Sequence, residues 1–213
     1  MSITFNVITP LARFENVNFL KEMLENQNVI WHVITDDDAK QTVEFTESWI
    51  KHYVCPNKEL AFWERCNNSI NWFIETQKIN HDEFYCFMND DDGYDSLFFE
   101  NLRNYVKDIR SKNNFNEVII CSMERGHNIP ENAVHPRRHS TEKLFAHPDY
   151  MRIGFVGVEQ IFLTGRILLE NRLPLDVCGD GMMICYIVRK YPTTYCPQFS
   201  VLFNYLEPGR WIK

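Results

Sequence analysis

A chain of 213 residues with 45 % apolar and 24 % charged side chains can bury one sizeable core or two small ones. Its net charge of −7, with Arg137-Arg138 as the only compact basic patch, argues against a duplex nucleic-acid binder, and no long apolar run is present to span a membrane. The seven cysteines are scattered singly, odd in number and without a C-x-x-C pair, which excludes a disulfide framework or zinc ribbon. The N-terminus carries no basic region followed by an apolar core, so a soluble cytoplasmic protein is expected, in a cell or in a host cytoplasm if virus-encoded.

In chain order, Ile3 to Ile8 predicts a strand, closed by Thr9-Pro10 because proline pushes its predecessor out of the helical region. Phe14, Val17, Leu20, Met23 and Leu24 fall on one helical face over Arg13–Asn26. Asn28 to Thr35 predicts a second strand, ending in Asp36-Asp37-Asp38. Strand, helix, strand with short joints is a βαβ unit and favours a parallel sheet. Residues 40–57 are ambiguous. Helices are expected over Lys58–Lys78 and Ser96–Lys112, and strands over Glu83–Met88 and Glu117–Met123. Residues 124–152, with four of the seven histidines, predict a loop-rich insertion. Gly154–Leu163 then reads as a strand, and Thr164–Asn171 and Met182–Lys190 as helices, with an irregular aromatic tail from Tyr195. No repeat or linker divides the chain, so one α/β domain over 1–213 is expected.

The strand at Glu83–Met88 runs into Asp90-Asp91-Asp92-Gly93. Three adjacent carboxylates repel one another unless water or a cation screens them, and carboxylates suit a hard divalent ion. The competing reading is a solvated turn, in which Asp and Gly are common. A calcium EF-hand fails on register: with Gly93 as the sixth loop residue, Met88 and Phe99 occupy positions that need oxygen ligands. Zinc among the histidines is disfavoured, because Pro136 separates His135 from His139 and no H-E-x-x-H glutamate is present.

Met88-Asn89-Asp90-Asp91-Asp92-Gly93-Tyr94, with Leu97-Phe98 and Glu100-Asn101-Leu102-Arg103 after it, resembles the D-x-D region of GT-A-fold nucleotide-sugar glycosyltransferases. It looks most like the D-D-D segment of β-1,3-glucuronyltransferases, and generally like small family-2-type enzymes. Val7-Ile8-Thr9-Pro10 with Arg13, His32 to Asp36, and Glu64-Arg65-Cys66-Asn67 resemble further stretches of the same enzymes in the same order. The likeness covers about residues 3–105, so it implies a GT-A-like, Rossmann-like sheet, mixed and mainly parallel, flanked by helices. It implies a nucleotide-sugar-binding half over 1–105 and an acceptor-binding, catalytic half over 106–213.

By that resemblance the donor is a nucleotide sugar, a UDP-sugar in the first instance, and the acceptor a glycan or other hydroxyl. Thr9, Pro10, Arg13, Arg65 and Asn67 would line the nucleotide and Asp36 would face the base. Asp90 and Asp91 would hold ribose hydroxyls or metal-bound waters, and Asp92, with Asp90, would hold Mn²⁺ or Mg²⁺. Asp180, in Gly179-Asp180-Gly181, stands where an inverting enzyme of this fold keeps its general base, with helix N-cap as the bland alternative and Glu159 or Asp176 as other bases. Asn204, Tyr205, Arg210 and Lys213 are further candidates for ligating metal or clamping phosphate from the tail. Two other activities stay open: a retaining transferase of the same fold, and a sugar-nucleotide nucleotidyltransferase. The second normally carries a Gly-rich phosphate loop, which Thr9-Pro10-Leu11-Ala12-Arg13 lacks. A non-catalytic carbohydrate-binding module would explain the aromatics but not the three carboxylates.

Overall fold

The computed structural model describes residues 3–39, 43–56, 60–112, 115–125, 143–153, 156–176 and 178–203. The loop histidines His127, His135 and His139, Arg137-Arg138, and the tail residues Asn204, Tyr205, Arg210 and Lys213 lie outside them. The described strands are β1 (Phe5–Pro10), β2 (Ile30–Asp36), β3 (Ile50–Cys55), β4 (Phe84–Phe87), β5 (Gly93–Tyr94), β6 (Val118–Arg125), β7 (Lys143–Leu144), β8 (Ile161–Thr164) and β9 (Thr193–Phe203). The helices are α1 (Val17–Glu25), α2 (Phe62–Thr76), α3 (Phe98–Ser111), α4 (Gly165–Leu169) and α5 (Gly179–Lys190).

The strands form one sheet in the order β3-β2-β1-β4-β8-β6-β9-β5, with β7 paired to β6. The longer pairings are parallel, β3 with β2, β2 with β1, β1 with β4 and β6 with β9. β8 runs antiparallel between β4 and β6. This is the mixed, mainly parallel, Rossmann-like arrangement that the resemblance implies, and its parallel β1–β2 pair is the one the βαβ pattern predicts. The chain leaves β1 towards β2 and β3 and then returns to β1's other side with β4. In open α/β sheets the crevice at such a reversal, beyond the strands' carboxyl ends, is where ligands bind.

All of β1 is buried, because helices cover both faces of the sheet. Phe5 and Val7 point into a core shared with Leu20 and Leu24 of α1 and Phe99 and Leu102 of α3. Ile8 points the other way, among Ile70 and Phe73 of α2, Ile167 of α4 and Ile184 of α5. The Glu64 carboxylate accepts the Ala61 N–H at 2.8 Å, which fixes where α2 begins.

Four stretches depart from the sequence-based expectation. Of the strand expected over Gly154–Leu163, the described residues form a 3-10 turn at Val158–Gln160 and a strand only from Ile161. The ambiguous residues before Pro56 supply the edge strand β3. The tail expected to be irregular instead contributes the eleven-residue β9. Proline disguises it: Pro197 falls in a register shift, where Cys196 pairs with Cys121 but Ser200 pairs with Ser122. α5 starts at Gly179, so Asp180 lies inside its first turn and not ahead of the helix. No helix among the described residues is long and apolar enough to cross a membrane.

Candidate functional site

A pocket of about 380 Å³ opens beyond the carboxyl ends of β1 and β2. The β1–α1 loop forms one wall with Pro10, Leu11, Ala12, Phe14 and Glu15. Ile34, Asp36, Asp38 and Ala39 come from β2 and the turn after it, and Arg65, Cys66 and Ser69 from α2. The Leu11 N–H donates to the Ile34 carbonyl at 2.8 Å, so the loop continues the β1–β2 pairing as it leaves the sheet.

Asp36 and Asp38 each stand 3.5 Å from the Arg65 guanidinium, whose Nε donates to the Leu60 carbonyl at 3.0 Å. Burial raises the Asp36 pKa, and the Arg65 charge opposes that rise. The pocket thus offers carboxylate acceptors and a guanidinium donor at one end and an apolar wall at the other. That combination suits a nucleobase, which has polar edges and flat faces.

The second acidic turn lies beside this wall, between β4 and β5. Asp90, Asp91 and Asp92 are buried, at 3, 5 and 1 % exposure. One Asp90 oxygen accepts the Ala12 N–H at 2.7 Å and the Arg13 N–H at 2.6 Å. The other is ion-paired with the Arg13 guanidinium, which also stands 3.4 Å from Asp91. Asn16 Nδ2 donates to the Asp90 carbonyl at 2.8 Å. Asp92 closes its own turn: its N–H donates to the Asn89 carbonyl at 3.1 Å, and its carboxylate accepts the Asn89 N–H at 3.2 Å. Downstream, the Tyr94 N–H points at the Met23 sulfur at 2.9 Å, and β5 pairs with β9. Buried Tyr94 has its pKa pushed well above the usual phenol value, by burial first and with Asp92 and Glu159 adding to it.

Of the residues singled out for the nucleotide, Pro10, Asp36 and Arg65 line the pocket. Thr9 is fully buried, and its hydroxyl accepts the Trp31 indole N–H at 3.0 Å, on the core side of β1. Arg13 points into the acidic turn and is not among the pocket residues. Asn67 faces the second half of the chain, donating to the carbonyls of Pro174 at 2.9 Å and Asp176 at 3.1 Å. Asn71, one turn on, exchanges hydrogen bonds with the Leu173 backbone at 2.8 and 2.9 Å. These two asparagines sew α2 to the loop that leads into Asp180. A side chain at Gly179 would collide with the Pro174 carbonyl and the Asn67 amide, so only glycine lets α5 start this close to α2. The half-buried Asp180 carboxylate accepts the Gly181 N–H at 2.6 Å, within the first turn of α5. Glu159, the other candidate base, is buried to 1 % exposure in the short turn before β8, and Asp176 is exposed.

Sequence reasoning passed over four contributors: the Ala12 backbone amide, Asn16, Cys66 and Asn71. Asn71 had a signal, a further asparagine one helical turn after Asn67. Cys66 had none. Its thiol sits in the pocket between the two acidic turns, and burial followed by the Asp90 and Asp36 charges pushes its pKa up to about 12.

A metal held by Asp92 together with Asp90 does not fit these contacts, because both Asp90 oxygens are occupied by N–H donors of the β1–α1 loop and Arg13. Among the described residues no three His, Cys, Asp or Glu side chains converge as metal ligands.

No family model matches the chain, and no curated protein matches it. Among solved structures it is similar to a 4-diphosphocytidyl-2C-methyl-D-erythritol synthase, with a TM-score of 0.50 at 9 % identity over 97 % of this chain and 92 % of that one. At that identity the likeness is one of fold.

Proposed function

We propose that this chain is a glycosyltransferase that moves a sugar from a nucleotide-sugar donor, a UDP-sugar in the first instance, to a hydroxyl of a glycan or similar acceptor. The observation that carries this reading is the closed β1–α1 loop. A nucleotidyltransferase needs backbone amides of that loop turned towards the triphosphate it cleaves. Here the Ala12 and Arg13 amides are turned onto Asp90, which leaves a wall for a nucleoside and no phosphate cradle. The fold neighbour, a synthase whose name carries a cytidine diphosphate group, keeps the nucleotidyltransferase reading as the one to test against.

In the proposed reaction the base enters the pocket between the apolar wall and Asp36. A carboxylate there accepts the N3–H of uracil, whereas cytosine offers a lone pair at that position and would be repelled. The sugar–phosphate bond then points along the acidic turn towards the second half of the chain. The acceptor oxygen attacks the anomeric carbon, its proton passes to the Asp180 carboxylate, and the bond to the diphosphate breaks on the opposite face. Inversion follows from that geometry. Gly179, Asn67 and Asn71 position Asp180 by tying α5 to the helix that carries Arg65.

A thermal-shift panel of UDP, GDP, CDP, ADP and CTP, in EDTA and in MnCl₂ or MgCl₂, tests the reading. UDP is expected to raise the unfolding midpoint more than CDP. A shift that requires the ion would assign Mn²⁺ or Mg²⁺ to the diphosphate. Release of pyrophosphate from CTP with a sugar phosphate would instead establish the nucleotidyltransferase. Asp180→Asn is expected to leave the nucleotide shift intact and cut transfer by about 10²–10⁴-fold, the range for losing a general base. Transfer at the original rate would remove Asp180 from that role.

A further inference from the structure

The aspartate turn already contains a cation, the guanidinium of Arg13. Its side chain is 16 % exposed, against 3 % for Asp90 and 7 % for the more distant Asp91, so three charged groups share one dry site. Two carboxylates this close and this buried repel one another unless a positive partner lies beside them. The backbone carries the arginine to them: the Ala12 and Arg13 amides grip Asp90, and Asn16 grips the carbonyl of the same residue. The loop so fixed presents Leu11, Ala12 and Phe14 to the pocket.

We infer that Arg13 is the resident counter-cation of the acidic turn, holding Asp90 and Asp91 in place without a divalent ion and so preforming the nucleotide wall. This makes Arg13 a positioning residue, acting through Asp90 and the loop and not by touching a nucleotide. It also means that a divalent ion added to the free protein finds this position taken. The counter-cation role rests on the turn and the loop alone, while the statement that the wall they fix meets a nucleotide rests on the proposed function.

The test uses the full chain with no nucleotide, by thermal unfolding in EDTA and in millimolar MnCl₂. The original protein is expected to melt at the same temperature in both. Arg13→Met in EDTA is expected to melt roughly 10 °C lower, the consequence of stripping one partner from a buried ion pair in a domain of this size. MnCl₂ is expected to return at least half of that loss, because the ion fills the vacated place between Asp90 and Asp91. Arg13→Lys, which restores a charge but not the fork, should melt between the two in EDTA and respond less to manganese. A purely structural arginine would give the lower midpoint with no manganese rescue, and that result overturns the inference. So does an original protein whose midpoint falls in EDTA or rises with manganese alone. If Arg13→Met does not fold, the double variant Arg13→Met/Asp90→Asn removes opposing charges together. It is expected to fold and to ignore manganese, and its failure to fold would count against the inference. The nucleotide panel can fail while this result stands, so the two outcomes separate.

Discussion

The molecule contains the same three residues in a row twice, Asp36-Asp37-Asp38 after β2 and Asp90-Asp91-Asp92 after β4, and gives them opposite fates. The first turn faces outward. Asp37 and Asp38 are exposed, Asp36 is half-buried, and Arg65 stands off at 3.5 Å as a loose counter-charge on the rim of the pocket. The second turn is closed over by the β1–α1 loop and by β5, with Arg13 driven into it. Position in the sheet decides between them. β2 is flanked by β3 and ends near the open side, whereas β4 lies beside β1 at the reversal of strand order and ends under the first loop. An aspartate triplet therefore has no fixed meaning. On the rim it can contact a ligand, and in the wall it shapes the surface the ligand meets.

The largest effect should come from breaking the buried turn. Asp90→Ala leaves Arg13 half-paired and strips two backbone amides of their acceptor in a water-poor site. Removing one partner of such a pair costs about 3–5 kcal/mol, or roughly 10 °C in midpoint at this size. The pocket wall should loosen with it, so nucleotide affinity and stability are expected to fall together. A variant that melts as the original does would show that the turn holds nothing in place.

Acid should break the comparison from the other end of β2. His32 lies on the strand that leads to the outward turn. Its Nε2–H donates to Asn6 Oδ1 at 2.9 Å and its Nδ1 accepts the Tyr53 hydroxyl at 3.2 Å, while Asn6 passes its own amide to Glu83 and the Phe84 carbonyl. Burial, with the Lys51 charge adding to it, lowers the His32 pKa from 6.5 to about 4. The folded state thus binds this proton less readily than the unfolded chain. The stabilisation is complete above pH 6.5 and is lost as pH falls towards about 4, reaching about 3 kcal/mol. Urea titrations through that range, compared with His32→Gln, isolate the contribution, since the variant should lose that part of the slope. Equal slopes in the two proteins would mean that His32 does not titrate in this window.

How much of this was readable beforehand follows the same divide. The βαβ alternation, the two acidic turns and the helices α2 and α3 announce themselves through hydrophobic period and punctuation, which are local. The resemblance implies a nucleotide role for Pro10, Asp36 and Arg65, and the structure gathers these three around one pocket. The orientation of Arg13, Thr9 and Asn67 was not readable, because each is fixed by a partner far along the chain: Asp90 for Arg13, Trp31 for Thr9, and Pro174 with Asp176 for Asn67. A residue type says what it can bond; only the fold says which acceptor is nearer. β9 was hidden for a related reason, since its pairing with β6 tolerates Pro197 at a register shift that no local pattern reveals.

The smallest effects belong to the outward turn, and they sharpen the contrast. Asp38→Asn removes a carboxylate whose side chain is 48 % exposed and 3.5 Å from Arg65. Exposed pairs of that kind contribute about 0–1 kcal/mol, so the midpoint should hardly move. Arg65→Met should likewise leave the fold standing. The Asp36 side chain is 27 % exposed and can reach water, yet the pocket loses its one lining guanidinium among the described residues. Losing a charged hydrogen bond to a ligand weakens binding by about tenfold or somewhat more. Isothermal titration with the nucleotide found in the panel measures this directly. The diagnostic outcome is a split, with affinity lost and stability kept at Arg65 but both lost together at Asp90. If Arg65→Met lowered the midpoint as far as Asp90→Ala, the two turns would be equivalent structural ties and the rim would have no claim to ligand binding.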